Sequence, residues 1–398
     1  MRILFVERGW EPGGGVFSMR LLVRGLRASH EVSLGVYGDP PYLPRFHEWG
    51  IPTLRLGGRQ LELGGALRNS TPLRRRSPYF AWISVPRLLI DSLPAALRFA
   101  RLLRRRRIEL VHLNGPPPLY QAEVIGARLV GLPIVCHVRG RSFRGSKRRM
   151  ADLFLPWVDQ FIAISQAVHT AMLFIDVPPQ RIRVIYNPVL VPARLSDQER
   201  QARRQQAGLE EGACWAVTAG RLLWWKGLTA AIQAVGLLRA RGVDLRLLVL
   251  GEGPEEPSLR EETRRLGLEP FVRFEGWQTT PSDYFAIADI LLHPSQPHEA
   301  FGRTIIEGMA CGLPVVGTNV GGIPEAFTHE VSGLLAEVPG PELLAEPLGR
   351  LARDPELRRR MGEAGRLEVE RRFSLEAHVA AVEHVYALAL AERGPARG

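Results

Sequence analysis

The chain has 398 residues, 45% of them hydrophobic, 23% charged and 8% aromatic. This composition excludes a disordered or fibrous protein and, at roughly 150 residues per domain, predicts more than one globular domain. The net charge of +11 is uneven, with +16 in residues 1–190 and −5 in residues 191–398, so the first half is expected to meet an acidic partner: a membrane surface, an anionic substrate or nucleic acid. Cys136, Cys214 and Cys311 are the only cysteines; they make neither a disulfide framework nor metal-ligand spacing, which points to a reducing compartment.

At the start of the chain, Ile3-Leu4-Phe5-Val6 is too short for the apolar region of a signal peptide. No stretch approaches the roughly 20 uncharged apolar residues of a spanning helix. A cytosolic protein is the expectation. Lys147 and Lys226 are the only lysines, and the arginine bias reads as a genomic habit that makes a placed lysine more informative.

Short apolar runs alternate with amphipathic stretches, the rhythm of βα units and parallel sheets. The expected strands are Arg2–Glu7, Glu31–Val36, Leu110–Leu113, Ile134–His137, Gln160–Ile164 and Arg183–Tyr186, then Cys214–Ala219, Leu245–Leu250, Val272–Glu275, Ile290–His293, Val315–Thr318 and Gly333–Ala336. Two doubly wound α/β halves follow. They change over near Asn187-Pro188, and a linker leads to a polar helix start at Ser196-Asp197-Gln198-Glu199. No short-period repeat points to a solenoid or propeller.

Between Tyr79 and Arg107 an apolar, aromatic stretch ends in Arg104-Arg105-Arg106-Arg107. One reading is an interfacial amphipathic helix resting on anionic lipid. The other is a crossover helix packed on the sheet, its last arginines complementing the helix dipole.

The residues that carry chemistry gather in the second half. His293-Pro294-Ser295 ends an apolar strand, Glu299 lies in the following loop, and Phe301–Ala310 is expected to form a helix whose first amides, around Phe301, Gly302, Arg303 and Thr304, face an anion. Gly312 closes that helix ahead of Pro314, and Gly321-Gly322 brings more bare backbone to the carboxyl ends of the strands. On a continuous helix Glu299 and Glu307 would stand about 12 Å apart, too far for a hydrolytic pair. They suit two acceptors gripping different hydroxyls of one long ligand; the plainer reading is a solvated Glu before the helix and a surface Glu within it. After the strand Cys214–Ala219, Gly220-Arg221 and Lys226-Gly227 bracket a short loop with two cations fit to neutralise a diphosphate. Gly13-Gly14-Gly15 permits close approach to a ligand, although the spacings of a dinucleotide fingerprint and of a P-loop are absent. Most single histidines are structural, but His137 falls at a strand's carboxyl edge, where catalytic groups collect.

From Gly220 to Glu325 the pattern Gly220-Arg221, Lys226-Gly227, Gly251-Glu252-Gly253, Gly276-Trp277, Pro294-Ser295, Glu299 and Glu307, Gly312-Leu313-Pro314 and Gly321-Gly322 resembles the family 4 retaining glycosyltransferases. Gly13-Gly14-Gly15, His137, Ser165 and Tyr186-Asn187-Pro188 extend the resemblance over almost the whole chain. It implies a GT-B fold: two Rossmann-like domains facing across a cleft, an acceptor domain at 1–190, a donor domain at 191–376, and a final segment at 377–398 crossing back to the first domain. Carried over by motif, Arg221 and Lys226 hold the donor diphosphate beside Gly220, Glu307 the ribose and Glu299 the hydroxyls of the transferred sugar. Gly276 and Trp277 lie beside the base, while Gly14, Gly15 and His137 reach the donor from the acceptor side. Trp224-Trp225 inside the diphosphate loop and Arg139 beside His137 depart from the family pattern.

The resemblance thus implies retaining transfer from a nucleoside diphosphate sugar to an acceptor hydroxyl without a metal cofactor, in cell-surface glycan, glycolipid or polysaccharide synthesis. A lipid-linked or anionic acceptor at the inner face of the cell membrane is expected, and no nucleic acid. The alternatives are a nucleotide-sugar epimerase or phosphorylase on the same scaffold, or a non-catalytic sugar-nucleotide binding protein.

Overall fold

The computed structural model describes residues 1–9, 13–57, 79–140, 154–337 and 340–393, with the side chains of Tyr79–Asp91 outside the description. The chain divides into two compact units, Met1–Tyr186 with His378–Gly398, and Asn187–Ala377.

The first unit holds strands β1 (Arg2–Glu7), β2 (Glu31–Val36), β3 (Thr53–Arg55), β4 (Leu110–Leu113), β5 (Ile134–Val138), β6 (Gln160–Ala163) and β7 (Ile182–Val184). They form one parallel sheet in the order β3-β2-β1-β4-β5-β6-β7. Strands β4, β5 and β6 are buried along their whole length, as parallel strands covered on both faces must be. That burial is why their apolar runs show no alternation. The helix Leu375–Ala391 packs here through Val382, Val385, Tyr386 and Ala389, which join the core around Ile3, Phe5, Leu110 and Ile162.

The second unit holds β8 (Cys214–Ala219), β9 (Leu245–Leu250), β10 (Val272–Gly276), β11 (Ile290–His293), β12 (Val315–Thr318) and β13 (Gly333–Ala336). They too form a parallel sheet, in the order β10-β9-β8-β11-β12-β13. The strand order reverses between β8 and β11, so the crevice at their carboxyl ends is the place where such a sheet binds ligands. Both sheets are Rossmann-like.

Twelve of these thirteen strands fall where the sequence predicts them, some with ends moved by one or two residues. The unexpected β3 is a three-residue edge strand, paired only with β2 and half-buried, so it has no apolar run to betray it. The predicted helix Phe301–Ala310 starts at Arg303, because Gly302 adopts φ +87° as its N-cap. The polar helix start is a capping box: the Ser196 hydroxyl accepts from the Glu199 amide while the Glu199 carboxylate accepts from the Ser196 amide.

The Tyr79–Arg105 segment is helical. Its apolar residues Tyr79–Ile90, on which the interfacial reading depends, lie outside the described side chains. Farther along, Ala96, Phe99, Ala100 and Leu103 are buried. A Cβ on Gly126, in the helix Gln121–Leu129, would fall 2.6 Å from the Ala96 carbonyl oxygen, so this half packs as a crossover helix. No helix among the described residues is long and apolar enough to cross a membrane.

Candidate active site

Three loops of the second unit are locked together by backbone. The Leu222 amide donates to the Glu252 carbonyl at 2.9 Å, the Glu255 amide to the Leu222 carbonyl at 3.1 Å, and the Gly251 amide to the Gly276 carbonyl at 2.7 Å. Gly251 has φ +127°, and a Cβ there would sit 2.0 Å from the Gly220 carbonyl oxygen. Only glycine lets the two turns touch. Arg221 is thereby carried on a braced turn at the end of β8, exposed and lining the crevice with Gly220, Lys226, His293, Pro294 and Ser295.

Lys226 ends a short 3-10 turn at Trp224–Lys226. Gly227, with φ +69°, fits so tightly against the loop after β11 that a Cβ would fall 2.0 Å from the Pro294 carbonyl oxygen, and the Gln296 amide donates to the Trp225 carbonyl at 2.7 Å. This seam brings Lys226 onto Glu299. The ammonium donates to Glu299 Oε2 at 2.6 Å and lies 4.5 Å from the centre of the Trp225 ring. The same oxygen accepts from Ser295 Oγ and from His293 Nε2, each at 3.1 Å. Burial alone would push the Glu299 carboxyl up; the Lys226 ammonium and His293 outweigh it and hold the group well below the usual carboxylate range. Two residues expected to grip separate parts of a ligand are therefore one buried ion pair, which still leaves the ammonium with further donors.

The remaining predicted residues are distributed around this centre. Thr304, in the first turn of the Arg303–Ala310 helix, faces His293 Nδ1 at 3.1 Å. Glu307 pairs with Arg303 one turn earlier at 2.7 Å. Phe301 is core, 5.8 Å edge-on to Phe373. Gly276 and Trp277 adjoin the braced loops, the Trp277 amide donating to Glu252 Oε1 at 3.3 Å. Trp224 is 58% exposed, with its ring 5.2 Å from that of His298.

Gly14, Gly15 and His137 belong to the first unit. Gly14 opens the helix Gly14–Leu26, and a Cβ on Gly15 would meet the Arg139 side chain at 3.0 Å. His137 is fully buried in β5, between the rings of His112 at 5.5 Å and His378 at 6.1 Å. Arg139 Nη2 donates to His137 Nδ1 at 3.3 Å, His112 Nδ1 meets the Tyr386 hydroxyl at 2.8 Å, and His378 Nδ1 donates to the Tyr186 carbonyl at 2.8 Å. Burial, with the Arg139 guanidinium adding to it, drives all three imidazoles down, His378 to about 3.

These histidines stay neutral in the folded chain while the unfolded chain takes up protons below about pH 6.5. Their contribution to stability is therefore complete above that pH and is lost as pH falls toward the folded values, at on the order of 1.4 kcal/mol per pH unit for each histidine. The urea midpoint should drop between pH 7 and pH 5, and His378→Leu should flatten that dependence. A midpoint unchanged over this range would contradict the assignment.

Two side chains of the second-unit site, His293 and Ser295, stand in the sequence as the end of a strand and, for Ser295, as part of the family pattern, but with no role assigned to either, because their value lies in a partner four to six residues on, across a loop.

Residues 12–190 match the model described as Glycosyltransferase Family 4, and residues 199–368 that described as Glycosyl transferases group 1. The chain is 27% identical over 302 residues to N-acetyl-alpha-D-glucosaminyl L-malate synthase of Bacillus anthracis, an alignment covering 74% of this chain and 78% of that protein. It is 35% identical over 204 residues to a D-inositol 3-phosphate glycosyltransferase of Streptomyces griseus, covering 48% of this chain and 43% of that relative, so it spans less than half of the latter's length. Among solved structures, Anabaena Alr3699/HepE in complex with UDP superposes with a TM-score of 0.82 at 22% identity, covering 97% of this chain and 100% of that one. A glycosyltransferase from Rickettsia africae superposes at 0.80 and 20% identity, covering 97% and 98%. By the two adjoining family matches, the paired Rossmann-like units and this GT-B likeness, the chain belongs to the family 4 glycosyltransferases.

Proposed function

We propose that the protein transfers a sugar from a nucleoside diphosphate sugar to an acceptor hydroxyl with retention of anomeric configuration. The observation that carries this reading is the crevice at the strand reversal of the second unit, where Arg221 and Lys226 stand on braced loops and Lys226 touches Glu299. Departure of the diphosphate builds negative charge, and two preorganised cations stabilise it at the place where it forms. They serve there in the role a divalent ion would otherwise fill. Glu299 receives hydroxyls of the transferred sugar, and Glu307 those of the ribose. In a front-face reaction the leaving phosphate takes the acceptor proton while the new glycosidic bond forms on the face the diphosphate leaves, so the chain supplies no nucleophile. A solved structure of Anabaena Alr3699/HepE with UDP-glucose supports a donor of this class.

For the acceptor, the +16 charge of residues 1–190 supports an anionic molecule, free or lipid-linked. A thermal-shift screen of UDP, GDP and ADP tests the donor. One of them, at a hundred times its dissociation constant, should stabilise the protein by about 2.7 kcal/mol through linkage, and no rise in midpoint with any of them would refute the reading. Proton NMR of the product should show the donor's anomeric configuration kept.

A further inference from the structure

Among the polar groups around Glu299, the distribution of donors is one-sided. Lys226 Nζ, Ser295 Oγ and His293 Nε2 all converge on Oε2, at 2.6, 3.1 and 3.1 Å. Among the described residues no donor reaches Oε1. A buried carboxylate gains most when both oxygens are satisfied, and Oε1 belongs to a carboxylate whose three donors, Lys226, His293 and Ser295, all line the crevice, so it is available to a ligand there. We propose that His293 is the positioning residue that sets this asymmetry, pinning Oε2 through its Nε2–H so that Oε1 is presented to a hydroxyl of the transferred sugar. The proposal rests on the assignment of Glu299 to the donor sugar.

The proton positions follow from the partners. An ionised carboxylate only accepts, so His293 Nε2 must carry the hydrogen. In a neutral imidazole Nδ1 then accepts, and the Thr304 hydroxyl, 3.1 Å away, donates to it. Burial pulls the ring toward its neutral form and outweighs the opposing pull of the Glu299 carboxylate, with the Lys226 charge acting in the same direction as burial. The carboxylate therefore selects the tautomer, and Thr304, in the first turn of its helix, completes it with a hydroxyl that can donate to Nδ1. The ring is also confined sterically. Gly302 approaches so closely that a Cβ there would lie 3.2 Å from His293 Nε2. Ser295 lies 3.3 Å from the same nitrogen but donates to Glu299 instead. His293 itself lines the crevice at the end of β11.

The test compares binding of a bare nucleotide with that of its sugar conjugate, UDP against UDP-glucose or GDP against GDP-mannose as the screen selects, together with kcat. In His293→Leu the nucleotide should bind within about twofold of wild type, the extra affinity given by the sugar should vanish, and kcat should fall on the order of tenfold to a hundredfold, the scale of a misplaced contact group. His293→Gln, whose amide reaches where Nε2–H lies, should recover most of both. Glu299→Gln is the reference. If it keeps the sugar-dependent affinity, the assignment of Glu299 falls and the proposal with it. If it loses that affinity while His293→Leu keeps it with wild-type kcat, the proposal alone is overturned. Should the leucine variant not fold, His293→Asn, whose amide stops short of Glu299, takes its place; an asparagine variant equal to the glutamine one would overturn the proposal. Binding of neither nucleotide pair by the wild-type protein would overturn both.

Discussion

Arg221→Ala and Lys226→Ala are each expected to lower turnover by about two orders of magnitude or more, the usual effect of deleting one preorganised group that stabilises charge in the transition state. The two variants should differ in stability. Arg221 is exposed on its turn, and its truncation should shift the unfolding midpoint little. Lys226 is the counter-charge of Glu299, whose side chain is only 11% exposed. Removing it strands a buried carboxylate, a loss of about 3–5 kcal/mol in comparable cases. The double variant Lys226→Ala with Glu299→Ala should then recover most of the stability and none of the turnover, because the cycle separates the structural pairing from the work on the diphosphate. Calorimetric or urea midpoints together with rates of diphosphate release decide this. Near-wild-type release in both single variants would remove the assignment; equal destabilisation by both would remove the distinction between them.

The same pair shows where sequence reasoning stops. Apolar runs such as Leu245–Leu250 and Ile290–His293 are legible because a strand covered on both faces must be apolar throughout. The glycines at 220 and 227 are legible as the ends of a loop, and both have positive φ; Gly302, read as part of the helix Phe301–Ala310, is instead its N-cap at φ +87°. What the sequence hides is which turns meet. Lys226 and Glu299 are 73 residues apart, and their contact depends on backbone seams between loops that follow different strands. Read singly, they are two grips on a ligand; folded, they share one oxygen, and the ligand meets what remains. His137 shows the converse case. Its place at a strand's carboxyl edge is visible, yet its surroundings come from His378, on a helix more than two hundred residues away in the chain. The edge strand Thr53–Arg55 is hidden for a third reason, since pairing on one side only needs no apolar signature.

The braced ends of β8 and β11 have a counterpart at their beginnings, where Asp289→Ala should be the most destabilising single change in the second unit. Asp289 accepts from Arg200 Nη2 at 2.8 Å, from Arg204 Nη1 at 3.1 Å and from the Trp215 amide at 2.8 Å. It immediately precedes β11, Trp215 is the second residue of β8, and both arginines come from the capped helix Asp197–Gln206. One carboxylate thus clips the two strands of the reversal point to the helix that opens the unit. Arg204 is 7% exposed, so losing Asp289 leaves a buried guanidinium without its counter-charge and a strand amide without its acceptor. The first costs about 3–5 kcal/mol and the second about 1–3 kcal/mol, with incomplete additivity between neighbours. Against a domain stability of about 5–15 kcal/mol, the variant should unfold at much lower urea, its second-unit transition separating from that of the first unit. Asp289→Asn keeps acceptor capacity without the charge and should fall between the two. If Asp289→Ala unfolds at the wild-type midpoint, the clip is not what holds these strands in register, and the position of Arg221 and His293 at their far ends must be set by the loop seams alone.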